Sequence, residues 1–72
     1  MVGEQIRISL KAARVNAGYS QEDVSKILHV SKTTIVNWET GKSEPKMTQA
    51  RQLSELYKMP YDNIIFLPSG AN

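Results

Sequence analysis

Apolar residues recur along this chain at helical spacing, and short polar or Gly- and Pro-containing stretches interrupt them. Ile6, Leu10, Ala13 and Ala17 follow one another at steps of four, three and four, the stripe of a helix predicted over residues 4–17. Gly18 stands where a left-handed C′ residue belongs, and Tyr19 where its hydrophobic C″ contact belongs. A second helix is predicted over residues 21–28, with Ser20 as N-cap, Glu22 and Asp23 in its first turn, and Val24, Ile27 and Leu28 on its inner face. A third is predicted over residues 32–40, capped by Ser31, ended by Gly41, with Ile35 and Trp38 facing inward. The fourth begins near Pro45, a favoured first helical residue, and Met47, Ala50, Leu53, Leu56 and Tyr57 form its apolar face. Lys58 lies near its end, where the helix dipole favours a cation. A last short turn follows over residues 61–65, opened by Pro60, and no stretch alternates as a strand does. The expected fold is all-α, a compact arrangement of five short helices.

Length and composition narrow the function. The chain has 72 residues, enough for a single domain over residues 1–72 with a small core. Hydrophobic residues make up 40% and charged residues 22%, ordinary for a globular domain. With no Cys and a single His, no disulfide, thiolate site or zinc cluster can be assembled, and no motif calls for a metal or cofactor. The longest apolar run, Ile64-Ile65-Phe66-Leu67, is far short of the roughly 20 residues that span a membrane. The N-terminus does not read as a signal peptide, so a cytoplasmic setting is expected. The net charge of +2 permits nucleic-acid binding without arguing for it.

The informative stretch runs from residue 20 to residue 45. Two helices, each with its own Ser cap, are joined by a tight turn, so they must cross steeply rather than lie as a hairpin. Ser25 supplies the small residue that a close crossing needs, and Val30 plugs the corner. That is the sequence shape of a helix-turn-helix at about residues 21–40, whose second helix enters a DNA major groove. Gln21, Val24, Ser25, Val30, Ser31, Ile35, Trp38, Glu39, Gly41 and Pro45 together resemble the phage repressor and Cro family, also called XRE-like. Arg14 upstream and Leu53, Leu56 and Ile64 downstream extend the resemblance over nearly the whole chain. It implies a lambda-repressor-like DNA-binding domain. One departure stands out: the family usually has Gly where this chain has His29, because the backbone there tends to positive φ. His is among the residues that tolerate it.

The third helix can also be read on its own. At about 100° per residue, Thr34, Ile35 and Trp38 fall on one side, and Lys32, Thr33, Val36, Asn37 and Thr40 around the other. That outer strip carries no acid, unlike an ordinary solvated face. Asn pairs with adenine N6 and N7, Lys donates to guanine O6 or N7, and Val36 suits a thymine methyl. The bland alternative is a plain surface for Thr33, Val36 and Asn37. The resemblance places base contacts at Lys32, Thr33 and Asn37. It places Gln21 and Ser31 beside the phosphates or outer bases, and Lys42, Ser43 and Lys46 on the DNA backbone. It also implies an ion pair between Arg14 and Glu39, which would keep Glu39 from repelling DNA. Trp38 is expected in the core and His29 in the turn, neither as a ligand.

The leading expectation is a sequence-specific transcriptional regulator, Cro-like or a small repressor, binding double-stranded DNA at a palindromic operator as a homodimer in a bacterial or phage-infected cell. The family's dimer contacts would fall here on Pro45 and Met47 and on Ile65, Phe66 and Leu67. An antitoxin-type module that also masks a protein partner is the alternative, and only residues 64–67 offer it an apolar surface. An enzyme is not expected, since no nucleophile, base and orienting group assemble around one His.

Overall fold

The computed structural model describes residues 7–66. Within them the order is β1 (Ile8–Ser9), α1 (Leu10–Ala17), α2 (Gln21–Leu28), α3 (Lys32–Thr40), α4 (Met47–Tyr57), a three-residue 3-10 turn (Tyr61–Asn63) and β2 (Ile64–Ile65). The fold is mostly helical, as expected, but its described part holds four α-helices where five were anticipated. The fifth is the single 3-10 turn, because the residues after it are drawn into strand pairing. Ile64 and Ile65 pair in parallel with Ile8 and Ser9. β-Branched side chains favour that extended backbone.

The same pairing shortens the first helix. Ser9 takes an extended conformation (φ −68°, ψ 161°), and its hydroxyl accepts the Ala12 N–H at 3.0 Å. This caps α1 at Leu10, so the expected helix does not extend over residues 7–9, of which Ile8 and Ser9 form β1, while residues 4–6, Ile6 among them, lie outside the described residues. The fourth helix likewise starts later than expected. Lys46 is the extended residue at its N-cap (φ −66°, ψ 161°), its N–H held by Gln49 Oε1 at 2.9 Å, so Pro45 precedes the cap and is not the first helical residue. The second helix follows its sequence signals closely. Ser20 Oγ accepts the Asp23 N–H and Asp23 Oδ2 accepts the Ser20 N–H, both at 3.0 Å, a reciprocal capping box. The Ser20 backbone N–H, and then its side chain, hold the exposed Asp23 carboxyl below its ordinary value of 3.8.

All four helices end in left-handed residues. Gly18, His29, Gly41 and Lys58 have φ between 53° and 87°. At Gly18 the N–H donates to Val15 O at 3.0 Å and Tyr19 N–H to Arg14 O at 3.2 Å, a Schellman closure that turns the chain into α2. The core gathers Leu10 and Ala13 of α1, Val24 and Leu28 of α2, Ile35 and Trp38 of α3, Ala50, Leu53 and Tyr57 of α4, and Ile64 of β2. Two expected inner residues are outside it: Ile27 is 47% and Met47 55% exposed. Val24 and Leu28, one turn apart, already supply the buried ridge of α2, and Ile27 lies about 100° around the helix from Leu28. Ile27 instead borders an open hollow with Leu28, Gln52, Glu55 and Leu56. Met47, in the first turn of α4, lies a full turn before the buried Ala50–Leu53–Tyr57 ridge.

Candidate nucleic-acid interface

The turn between α2 and α3 is built from local hydrogen bonds. His29 sits at φ 59°, ψ 43°, and its N–H and that of Val30 both reach Ser25 O, the latter at 3.0 Å. Ser25 is buried, with its hydroxyl donated to Glu22 O at 2.8 Å, so the small side chain brings no unsatisfied group into the interior. Val30 packs partly buried against the core and Ser31 begins α3, its Oγ accepting the Thr34 N–H at 3.0 Å and lying 2.9 Å from Thr34 Oγ1. Ser31 is thus occupied as a cap, and its exposed hydroxyl can still donate outward when Thr34 Oγ1 is the donor of that pair.

Ile35 and Trp38 turn α3 toward the core, and the opposite side emerges. Lys32, Thr33 and Thr40 are exposed, while Val36 and Asn37 are half-buried at the margin of the strip. The Thr40 hydroxyl donates back to Val36 O at 2.9 Å and to Asn37 O at 3.4 Å. Asn37 O also accepts the Lys42 N–H at 2.9 Å and the Ser43 N–H at 3.3 Å, which folds the following loop onto the end of α3. Lys42 and Lys46 are exposed in or beside that loop, with Ser43 and Pro45 half-buried and Met47 exposed just beyond. Ile65 is exposed at 43% at the far end of the chain, and Phe66 is half-buried, its ring stacked on Tyr61 at 5.2 Å. Leu67 lies outside the described residues.

A polar network anchors α3 from behind. Arg14 Nε donates to Glu39 Oε2 at 2.7 Å, with the two side chains 9% and 3% exposed. Arg14 Nη2 reaches Glu39 Oε1 at 3.4 Å, and Arg14 Nη1 donates to Tyr19 O at 2.9 Å. The acid of α3 is thereby turned inward and neutralised, so the outer strip presents Lys32 without a competing carboxylate. Gln21 was expected beside phosphates or outer bases; in the structure its amide has a partner within the protein, Nε2 donating to Glu39 Oε1 at 3.0 Å. No signal in the sequence pairs residues 18 positions apart, so this bond was invisible there. The carbonyl of Tyr19 and the phenol of Tyr57 were likewise missed. Tyr57 lies in the core with its ring 6.3 Å from that of Tyr19, and burial, then the nearby Glu39 charge, raise its pKa well above the ordinary value.

Among the described residues no group of three or more His, Cys, Asp or Glu is placed to hold a metal ion. Among them, too, no helix is long and apolar enough to cross a membrane. What the surface offers is a short helix edge bearing amide, ammonium, hydroxyl and methyl groups, with a loop carrying exposed lysines beside it. Its chemistry suits a groove lined with base edges and phosphates.

Residues 10–64 match a family model described as helix-turn-helix. The HTH-type transcriptional activator BcrR of Enterococcus faecalis is 30% identical over 56 residues, which cover 78% of this chain and 28% of that protein. The chain therefore spans less than a third of the length of that curated relative. No solved structure shows a significant match.

Proposed function

The chain belongs to the XRE-like helix-turn-helix family, and from that premise we propose that it is a transcription regulator that binds double-stranded DNA through α3. The observation that carries this reading is the outward strip of α3, cleared of acid because Glu39 is buried against Arg14. Lys32, Thr33, Val36 and Asn37 would read base edges in the major groove. Ser31, Lys42, Ser43 and Lys46 would fix the register on the backbone, together with whatever Gln21 offers beyond its bond to Glu39. The protein acts by occupying its site and not by chemistry.

The finer reading is a Cro-like or small-repressor mode: two copies on a palindromic operator, in the cytoplasm of a bacterial or phage-infected cell. A single recognition helix reads only a few base pairs, and two copies on half-sites about 10 base pairs apart supply the missing selectivity. The exposed Ile65 and the neighbouring Phe66 support a contact near the C-terminal end, with Pro45 and Met47 as a second region.

Selection of bound sequences from random duplex DNA tests both levels, since it returns base preference and half-site spacing together. The selected sequence should be a two-fold repeat. Asn37→Ala should relax preference at one position per half-site and weaken the preferred site by about 1–3 kcal/mol. An unchanged sequence preference would remove Asn37 from the contact set.

A further inference from the structure

Glu39 is held from two sides. Arg14, from α1, grips Oε2 at 2.7 Å, and Gln21, the first residue of α2, grips Oε1 at 3.0 Å. Arg14 is itself tied to the Tyr19 carbonyl between these helices. Ile35 and Trp38 seat α3 in the core, and Arg14 reaches both Glu39 oxygens from α1, the second at 3.4 Å. The shorter bond from Gln21 adds a donor from a different element and so limits the remaining tilt and roll of the helix. Glu39 lies one turn beyond Val36 on α3, so any tilt or roll at Glu39 displaces the side chains expected to meet the bases. Base-edge hydrogen bonds weaken steeply with such misplacement.

Resting on the DNA-binding reading above, we propose that Gln21 is a positioning residue: its carboxamide, bound to Glu39, fixes the orientation in which α3 presents Lys32, Thr33, Val36 and Asn37. A carboxylate only accepts hydrogen bonds, so Gln21 must turn its NH2 group toward Glu39. The charged and titratable groups tied to Glu39 are Arg14 from α1 and the Tyr57 phenol from α4, with Tyr19 beside Tyr57. Glu22 and Asp23 follow Gln21 on α2, and Asp23 is committed to the Ser20 cap.

Gln21→Glu tests the role, because an isosteric carboxyl can donate to Glu39 only while protonated. Two carboxylates at this distance repel, so one of them holds its proton to higher pH, with the Arg14 guanidinium opposing that shift. Near about pH 5 the DNA-free variant should melt close to the wild type, and it should lose stability steadily toward about pH 8, where the wild type changes little. Over the same interval its affinity for the selected site should fall roughly tenfold relative to wild type, and base preference should relax as well. Adding Glu39→Gln, which exchanges donor and acceptor, should abolish the pH dependence. A DNA-free Gln21→Glu protein whose melting follows the wild-type pH profile overturns the tether to Glu39. A variant that loses stability with pH but keeps affinity and base preference overturns the positioning role. A wild-type chain that selects no sequence overturns the DNA-binding reading beneath it, an outcome kept separate because the melting curves are taken without DNA.

Discussion

Tyr57 contributes a large buried ring to the core, yet its hydroxyl is buried and has no hydrogen-bond partner among the described residues. A buried hydroxyl left in this condition costs about 1–3 kcal/mol. Tyr57→Phe keeps the ring and removes the cost, so it should raise the denaturation midpoint, by about 1 kcal/mol in stability. The raised pKa of the phenol sets the sign of a second effect. The folded state favours the un-ionised form, so this stability is fully present below the ordinary value of 10.0 and is lost as pH rises beyond it. The Phe variant should therefore unfold less readily in alkali than the wild type. The Arg14–Glu39 pair behaves in the opposite way: both groups are satisfied, and removing one strands the other. Glu39→Ala should cost about 3 kcal/mol although it removes a negative charge from the helix proposed to meet DNA. Arg14→Ala added to it should cost much less than the sum of the two single changes. Strictly additive thermal-melt values would deny the coupling seen in the 2.7 Å contact.

At the level of elements, the recognition unit depends on turns more than on helix propensity. α2 has 8 residues and α3 has 9, too short to persist alone in water. Their termini carry them: a reciprocal cap at Ser20, a Ser cap at Ser31, and left-handed closures at His29 and Gly41. His29 is the strained member, a side chain held at φ 59°. His29→Gly should stabilise the protein by up to about 1 kcal/mol, part of the relief being offset by the greater freedom of glycine in the unfolded chain. His29→Val should destabilise it by about 1–2 kcal/mol, because a β-branched residue fits this conformation poorly. Denaturant midpoints of the two variants should fall on opposite sides of the wild type. Equal midpoints would mean the turn relaxes to another conformation.

Across the whole molecule, the charge is only +2, so function depends on where charges are placed. The inward turn of Glu39 leaves Lys32 unopposed on α3, with Lys42 and Lys46 nearby. The apolar surface is also unevenly distributed. Ile65 is exposed on β2 while its neighbour Ile64 fills the core, and Phe66 is stacked on Tyr61. Phe66 helps cover the core, which makes Ile65 the cleaner probe of the proposed dimer contact. Ile65→Lys should leave helix content unchanged and reduce cooperative occupancy of two half-sites roughly tenfold. Wild-type cooperativity in that variant would move the contact elsewhere, to the Pro45 and Met47 region first.

The boundaries of α2 and α3 were legible in the sequence because they rest on local chemistry. A Ser N-cap, acids in the first turn of α2 and a residue able to take positive φ act within a few positions of one another, so the order of residues alone determines them. The outer strip of α3 was legible for the same reason, since helical periodicity separates Ile35 and Trp38 from Lys32, Thr33 and Thr40. The Arg14–Glu39 contact was accessible through family resemblance and not through any local pattern. Tertiary structure alone decided the rest. Ile8 and Ser9 left the first helix because they found partners in Ile64 and Ile65, more than fifty positions away. Ile27 and Met47 satisfied the apolar period yet stayed outside, because burial depends on which ridge a neighbouring helix covers. Gln21 and Tyr57 acquired their surroundings from elements that meet only after folding. Short-range hydrogen bonds and periodicity are written along a chain; pairing, burial and orphaned polar groups exist only once distant segments are brought together.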